Sequence, residues 1–274
     1  MTPTLVGQMV VGAALVLSVA PITAAAQAAM PRDQLRDLTT DRPDTTESPF
    51  TIDPGHVQIE TTLFGYARAP RDGSGVVAES FEVATSNLRI GLTRALEVDV
   101  VLHPYGGVAP GGPARRLHGI GALDLRAKVN IWGNDGGPTA LAVLPYVSVA
   151  LDPATGIGPP DALYSVLVPF AVDLGGRFGL GLNTGLTYRR EERAASYRLR
   201  VPATASLAVR LSDRVGGYYE VAAELFGGTD ASASLNTGLT YRARDTLQFD
   251  AGIGFGVAGD AATLAPFLGV TARF

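Results

Sequence analysis

The chain contains no cysteine, which excludes disulfides, thiol catalysis and cysteine-based metal sites. Lysine is nearly absent too: Lys128 is the only one, and every other basic side chain apart from histidine is arginine. The three histidines, His56, His103 and His118, stand on different segments without the spacing of metal ligands. A formal charge of −4 gives no electrostatic reason to expect nucleic acid as a partner. No P-loop, G-x-S-x-G elbow or H-E-x-x-H motif is present. Beyond the N-terminal region Gly, Pro or a charge interrupts every apolar run, so none reaches the ~20 residues of a membrane-spanning helix.

What is there begins with an apolar stretch from Met9 to Ala26, closing in small residues where A-x-A sites end at Ala26 or Ala28. This reads as a secretory signal peptide over residues 1–28, although the amino terminus alone supplies its positive charge. Residues 29–54 are polar, rich in Thr, Asp and Pro and without periodicity, and read as an extended arm, periplasmic or lumenal. From residue 55 to 274 the pattern is period two. In Thr246 to Val257, Leu247, Phe249, Ala251, Ile253, Phe255 and Val257 share one face, while Gln248, Asp250 and three glycines share the other. The octapeptide LNTGLTYR occurs at 182–189 and again at 235–242 with the same alternation, as two strands solving one local problem would.

About twelve such segments follow one another, near 56–68, 81–93, 96–106, 119–132, 139–151, 164–174, 178–190, 196–211, 215–227, 232–243, 246–257 and 264–274. Their lengths suit the ~9–11 residues of a tilted membrane strand. Tight turns alternate with mostly longer loops, the arrangement of an outer-membrane barrel with brief periplasmic turns and both termini in the periplasm. Parity puts Tyr164, Tyr188 and Tyr197 on the apolar face near the outer rim, and Phe178, Tyr219, Tyr241, Phe249 and Phe274 near the periplasmic rim. The same parity turns Trp132 inward. The opposite face is rich in glycine and carries arginines, which suits an enclosed lumen better than a soluble exterior. The fold expected is therefore all-β: one antiparallel transmembrane barrel of about twelve strands in the outer membrane of a Gram-negative bacterium. Lipid is its surroundings, and the strand ending at Phe274 resembles the signal read by the barrel assembly machinery.

Glu60, Arg89, Glu97, Asp99, Asp124, Arg126, Lys128, Arg189, Arg198, Arg200, Arg210, Glu220, Glu224, Arg242, Asp250 and Arg273 are expected to face the lumen. Two readings of this lining stand side by side: an electrostatic selector of solutes, or a cross-strand ladder of ion pairs that fills and stiffens the barrel. Barrels of ~8 strands are packed solid and those of ~16–18 hold open water channels, so about twelve implies a narrow passage. No cofactor or metal is called for. Gly254 to Gly259 spells G-x-G-x-x-G but leads into another strand, with no helix to receive a phosphate. Asp41, Asp44 and Glu47 recur every three residues without the alternate-position ligands and turn glycine of a calcium loop. The arm carrying them enters at the periplasmic end and is able to fold back and narrow the lumen. A hydrolase built around His103 lacks an evident partner in the sequence, and catalysis is not expected.

Two stretches carry a more specific signal. TTDRPDTTESPFTIDPGHVQIE, from Thr39 to Glu60, and GALDLRAKVNIWGNDGG, from Gly121 to Gly137, resemble outer-membrane transporters associated with the meta-pathway of phenol degradation. NLRIGLTRALEVDVVL, from Asn87 to Leu102, is similar to that family's second hairpin. The resemblance implies one outer-membrane barrel and traffic of aromatic or other hydrophobic small molecules. Passive, restricted passage is the expected function, and a non-conducting structural or binding barrel is the alternative.

Overall fold

The computed structural model describes residues 29–191, 196–226 and 231–274. The expected signal peptide lies outside the described residues. Among the described residues fourteen strands form one antiparallel sheet: β1 (Val57–Arg68), β2 (Glu79–Gly91), β3 (Leu96–Leu102), β4 (Tyr105–Ala109), β5 (Leu117–Gly119), β6 (Ala122–Trp132), β7 (Thr139–Ala150), β8 (Leu163–Gly175), β9 (Phe178–Glu191), β10 (Ser196–Arg210), β11 (Val215–Phe226), β12 (Ala231–Arg244), β13 (Leu247–Ala258) and β14 (Ala265–Arg273).

Closure comes from β1, which pairs with β2 on one side and β14 on the other. Twelve staves complete the ring, because β4 and β5 are a hairpin that continues β3 and β6 outward. The break falls at His103-Pro104 on one stave and Ile120-Gly121 on the next. Proline cannot donate to the ladder, which explains the first interruption. Sequence alternation ran through both breaks and so read twelve segments where fourteen strands stand.

Burial decides which side is oily. Arg89, Glu97 and Lys128 are each 0% exposed, whereas Leu239 is 57% and Leu186 53% exposed. An apolar exterior around a charged interior is the inverse of a water-soluble barrel and is what hydrocarbon surroundings require. The two copies of LNTGLTYR lie in β9 and β12, each turning its second leucine outward.

Both aromatic rims follow parity, with Tyr164, Tyr188, Phe178, Tyr219, Tyr241, Phe249 and Phe274 all exposed. Tyr197 stacks on Tyr188 with ring centroids 4.8 Å apart. Trp132 is a correction: its ring faces out, not in. The β6–β7 register shifts between Asn130 and Trp132, so Ile131 and Trp132 are both exposed. One extra residue in a strand reverses the parity of everything after it.

Candidate functional site

The arm folds back into the lumen. At its base the Met30 N–H donates to the Pro54 carbonyl (3.0 Å), and the His56 ring bridges the carbonyls of Met30 (2.7 Å) and Phe274 (2.9 Å). Arg36 Nε donates to Asp53 Oδ1 at 2.6 Å, closing the two legs of the arm on each other. Gly91 of β2 lies so close to the returning leg that a Cβ there would overlap the Asp53 carbonyl.

Residues 41–47 then cross the barrel, reaching a different wall at nearly every step. Asp41 accepts from Lys128 Nζ on β6 at 2.7 Å. Arg42 Nη2 donates to Asp250 Oδ1 on β13 at 2.7 Å. Glu220 on β11 receives the N–H groups of Thr45 (3.0 Å) and Thr46 (2.8 Å), the Thr46 hydroxyl (2.6 Å) and the Asn236 amide (2.7 Å). Arg126 Nη1 donates to Glu47 Oε1 at 2.8 Å, while its Nη2 holds Asp124 at 2.8 Å. Burial alone would raise Asp41, yet the Arg89 guanidinium and Lys128 ammonium hold it below the ordinary carboxylate range. Burial pushes Asp44 up to about 7, and the Glu220 carboxylate adds to the rise.

The residues expected to line the lumen sort into four groups. Glu60, Arg89, Glu97, Asp99 and Lys128 form one buried network: Arg89 meets Glu60 and Glu97 at 2.8 Å each, and Lys128 meets Glu97 at 3.1 Å. Cross-strand register places them, with Arg89 opposite Asp99 and Glu97 opposite Lys128. Oxygens of Asp41, Glu97 and Asp99 lie within 4.8 Å of one another, and the Lys128 ammonium already pairs with the first two. Asp124, Arg126, Glu220 and Asp250 hold the tip of the arm.

Arg189, Arg198 and Arg200 line an outer cavity of about 1040 Å³. Arg200 pairs with Glu224 at 2.7 Å. Arg242 and Arg273 line a periplasmic cavity of about 620 Å³, where Arg273 Nη1 donates to the Arg36 carbonyl at 2.8 Å. Arg210 is a correction, because it is exposed at the end of β10 and donates to Gly176 in the neighbouring turn. The strand ends there, so inward parity no longer places a side chain in the lumen.

A space of about 470 Å³ beside Arg42 and Thr45 shares Ser80, Phe81 and Glu82 with the outer cavity. Below Arg42, Gln248 stands opposite Thr271 and Gln58 opposite Arg273 in the ladder. Gln248 Nε2, Thr271 Oγ1, Gln58 Oε1 and Arg273 Nε are buried polar atoms without a protein partner.

Sequence reasoning missed Arg42, Asp41 and Glu47 as partners of the wall. The only signal was their charge, and a segment without periodicity gives no way to aim it. His103 Nε2 comes within 4.0 Å of Asp124 Oδ2, a proximity the sequence did not reveal. Ser148 is the register partner of Asp124, so the hydroxyl stands beside the acid, whereas a Ser-His-acid triad needs the imidazole between acid and hydroxyl.

The family model described as "Putative MetA-pathway of phenol degradation" matches residues 40–274. The chain belongs to this family. The crystal structure of the COG4313 outer membrane channel from Pseudomonas putida F1 aligns with a TM-score of 0.65 at 15% identity, covering 86% of this chain and 100% of that one. The NanC porin aligns with a TM-score of 0.50 at 8% identity, covering 78% of this chain and 98% of the porin. No curated protein matches the chain. The closed barrel and these neighbours show that the chain has the fold of an outer-membrane barrel.

Proposed function

We propose that the chain is a passive, narrow outer-membrane channel for small solutes, aromatic molecules among them, with the arm as its constriction. The observation that carries this reading is the crossing of the lumen by residues 41–47, with cavities of about 1040 and 620 Å³ on either side. The division of the lining supports it. On β1, β2, β3 and β6 the charges are spent on one another and on the arm, which is the filling role. The arginines of β9 and β10 face the outer cavity, which is the selecting role. Glu60, Arg89, Glu97, Asp99 and Lys128 thus set the width, while Arg189, Arg198 and Arg200 set what enters. The family description supports aromatic solutes.

Reconstitution in planar bilayers tests the reading: small, discrete conductance steps are expected, together with slow swelling of liposomes in small sugars. A barrel silent in both assays would overturn it. The plug's buried ion pairs favour a second reading, a non-conducting barrel, and that result would select it.

A further inference from the structure

The periplasmic cavity of about 620 Å³ lies between the first leg of the arm, which contributes Arg32, Arg36 and Asp37, and the lower ends of β12, β13 and β14. It is not confined to the lumen. Gln248 and Thr271 face inward, 7% and 0% exposed, so the residues next to them on β13 and β14, Leu247 and Ala272, face outward. Both of these outward residues line the cavity, which therefore straddles the rim of the wall.

A register shift carries charge across the rim in the same way. Arg242 is the ladder partner of inward-facing Gln248 and Arg244 that of outward-facing Leu247, because the shift between the two arginines absorbs Ala243. Arg242 and Arg244 thus stand on opposite sides of the wall where it ends. Next to them on the outer face Tyr241 and Phe249 are direct partners, 47% and 45% exposed, and mark the level of the membrane interface. An arginine turned outward at that level reaches headgroups and not hydrocarbon.

The charges of the cavity are unequal. With Arg273 five arginines line it, against Asp37 and Asp245. Asp53 stands beside them, shared by Arg36 at 2.6 Å and Arg273 at 3.7 Å, and the main-chain oxygen of Phe274 is turned to the His56 ring at 2.9 Å. The Arg242 guanidinium donates to the Leu38 carbonyl at 3.4 Å. Among the described residues neither Arg242 nor Arg244 makes an ion pair, with Asp37, Asp245 or any other acid.

We propose that this rim cavity binds the headgroup of an anionic phospholipid, its phosphate between Arg242 and Arg244 and its acyl chains along Leu247, Ala272 and Phe249 on the outer face. Guanidinium groups match phosphate oxygens in geometry as well as charge, and basic pockets at a membrane surface hold phospholipid headgroups in this way. Because the arm supplies one side of the cavity, a bound lipid holds the arm in its docked position. The site stands apart from the channel reading, since lipid binding is measurable without conduction.

The test is calorimetric titration of the detergent-purified barrel with dihexanoyl phosphatidylglycerol, dihexanoyl phosphatidylcholine and inorganic phosphate. Phosphatidylglycerol is expected to bind tightest, with the R242Q/R244Q double variant weaker on the order of tenfold or more and R242K/R244K intermediate. R177Q, in a periplasmic turn outside the cavity, should leave that binding unchanged. Equal binding of the two lipids to the unaltered chain overturns the proposal even if the variants fail to fold, since acyl contact alone would then suffice. Inorganic phosphate binding as tightly as phosphatidylglycerol overturns it too, leaving a free-phosphate site. So does phosphatidylglycerol binding that survives in R242Q/R244Q. A conducting barrel that ignores phosphatidylglycerol defeats this site and leaves the channel intact, whereas phosphatidylglycerol binding in a silent barrel does the reverse.

Discussion

Arg42 and Asp250, 208 residues apart in the chain, meet at 2.7 Å inside the barrel and tie the crossing arm to β13. Arg42 also donates to the Thr62 hydroxyl, lies 5.5 Å from the centre of the Phe267 ring and rests against Gly269, where a Cβ would overlap its guanidinium. Asp250 is fully buried, so removal of Arg42 leaves an uncompensated carboxylate, a loss of about 3–5 kcal/mol for such a pair. Water entering to solvate that carboxylate would loosen the arm's hold on the wall and widen the passage beside it. Arg42→Ala is therefore expected to raise single-channel conductance several-fold, and the exchange Arg42→Asp with Asp250→Arg to bring it back toward the original value. Conductance unchanged in Arg42→Ala would remove this residue from the constriction. Gly269→Ala, which pushes the guanidinium aside without deleting its charge, should act in the same direction.

The tip of the arm should respond to pH through Asp44. Its carboxyl titrates near 7 in place, well above the ordinary 3.8 it would regain if the tip swung into water. Between those values the docked arm holds a proton that the undocked arm releases, so docking is strongest at low pH and weakens as pH rises through about 7. Asp41, whose value is lowered, stays ionised across that window, and Glu220 and Tyr218 are the other titratable groups that bear on Asp44. Open-channel events should be more frequent at pH 8 than at pH 5, and Asp44→Asn should remove most of the difference. An opposite slope, or one that survives the substitution, would assign the pH response to another group.

Lys128, the only lysine, is 0% exposed and engaged by both Asp41 and Glu97. An amine-directed reagent should therefore leave it unmodified in the folded barrel and reach it only after heat or denaturant. Lys128→Met leaves Arg89 as the cation shared by Asp41 and Glu97 and is expected to destabilise the barrel, seen as a lower temperature for the heat-induced shift in gel mobility. Rapid modification of Lys128 in the native protein would mean that the arm does not seal this network.

The barrel was legible because its physics is local. Alternation in Leu247–Ala258 tells which side chain faces lipid without reference to any other strand, and the same holds for the arginines of β10 up to the point where the strand stops. Trp132 and Arg210 were misplaced where that local rule ends, one at a register shift and the other at a turn. The constriction was not legible in the same way. Asp41, Arg42 and Glu47 carry no periodicity, and their partners Lys128, Asp250 and Arg126 lie on different staves, brought near only by closure of the ring. Sequence established that the arm was charged and the lumen was charged. Only the geometry says which charge meets which.

Glu220 and Val221 are neighbours in the chain and opposites in environment, and together they test the orientation of the wall. Glu220 is 3% exposed and receives the arm; Val221 is 50% exposed at the middle of β11, facing outward among other apolar side chains. A cation at Val221 would sit near the middle of the hydrocarbon, where arginine costs about 2–4 kcal/mol. Val221→Arg should therefore lower stability or block assembly into the membrane. Glu220→Gln keeps the shape and the lumenal position, so the barrel should assemble, but with a weaker hold on Thr45 and Thr46 and a larger conductance. A water-facing exterior predicts the contrary pattern, since arginine is welcome on a soluble surface. Normal assembly of Val221→Arg with loss of folding in Glu220→Gln would mean that lipid does not cover this face.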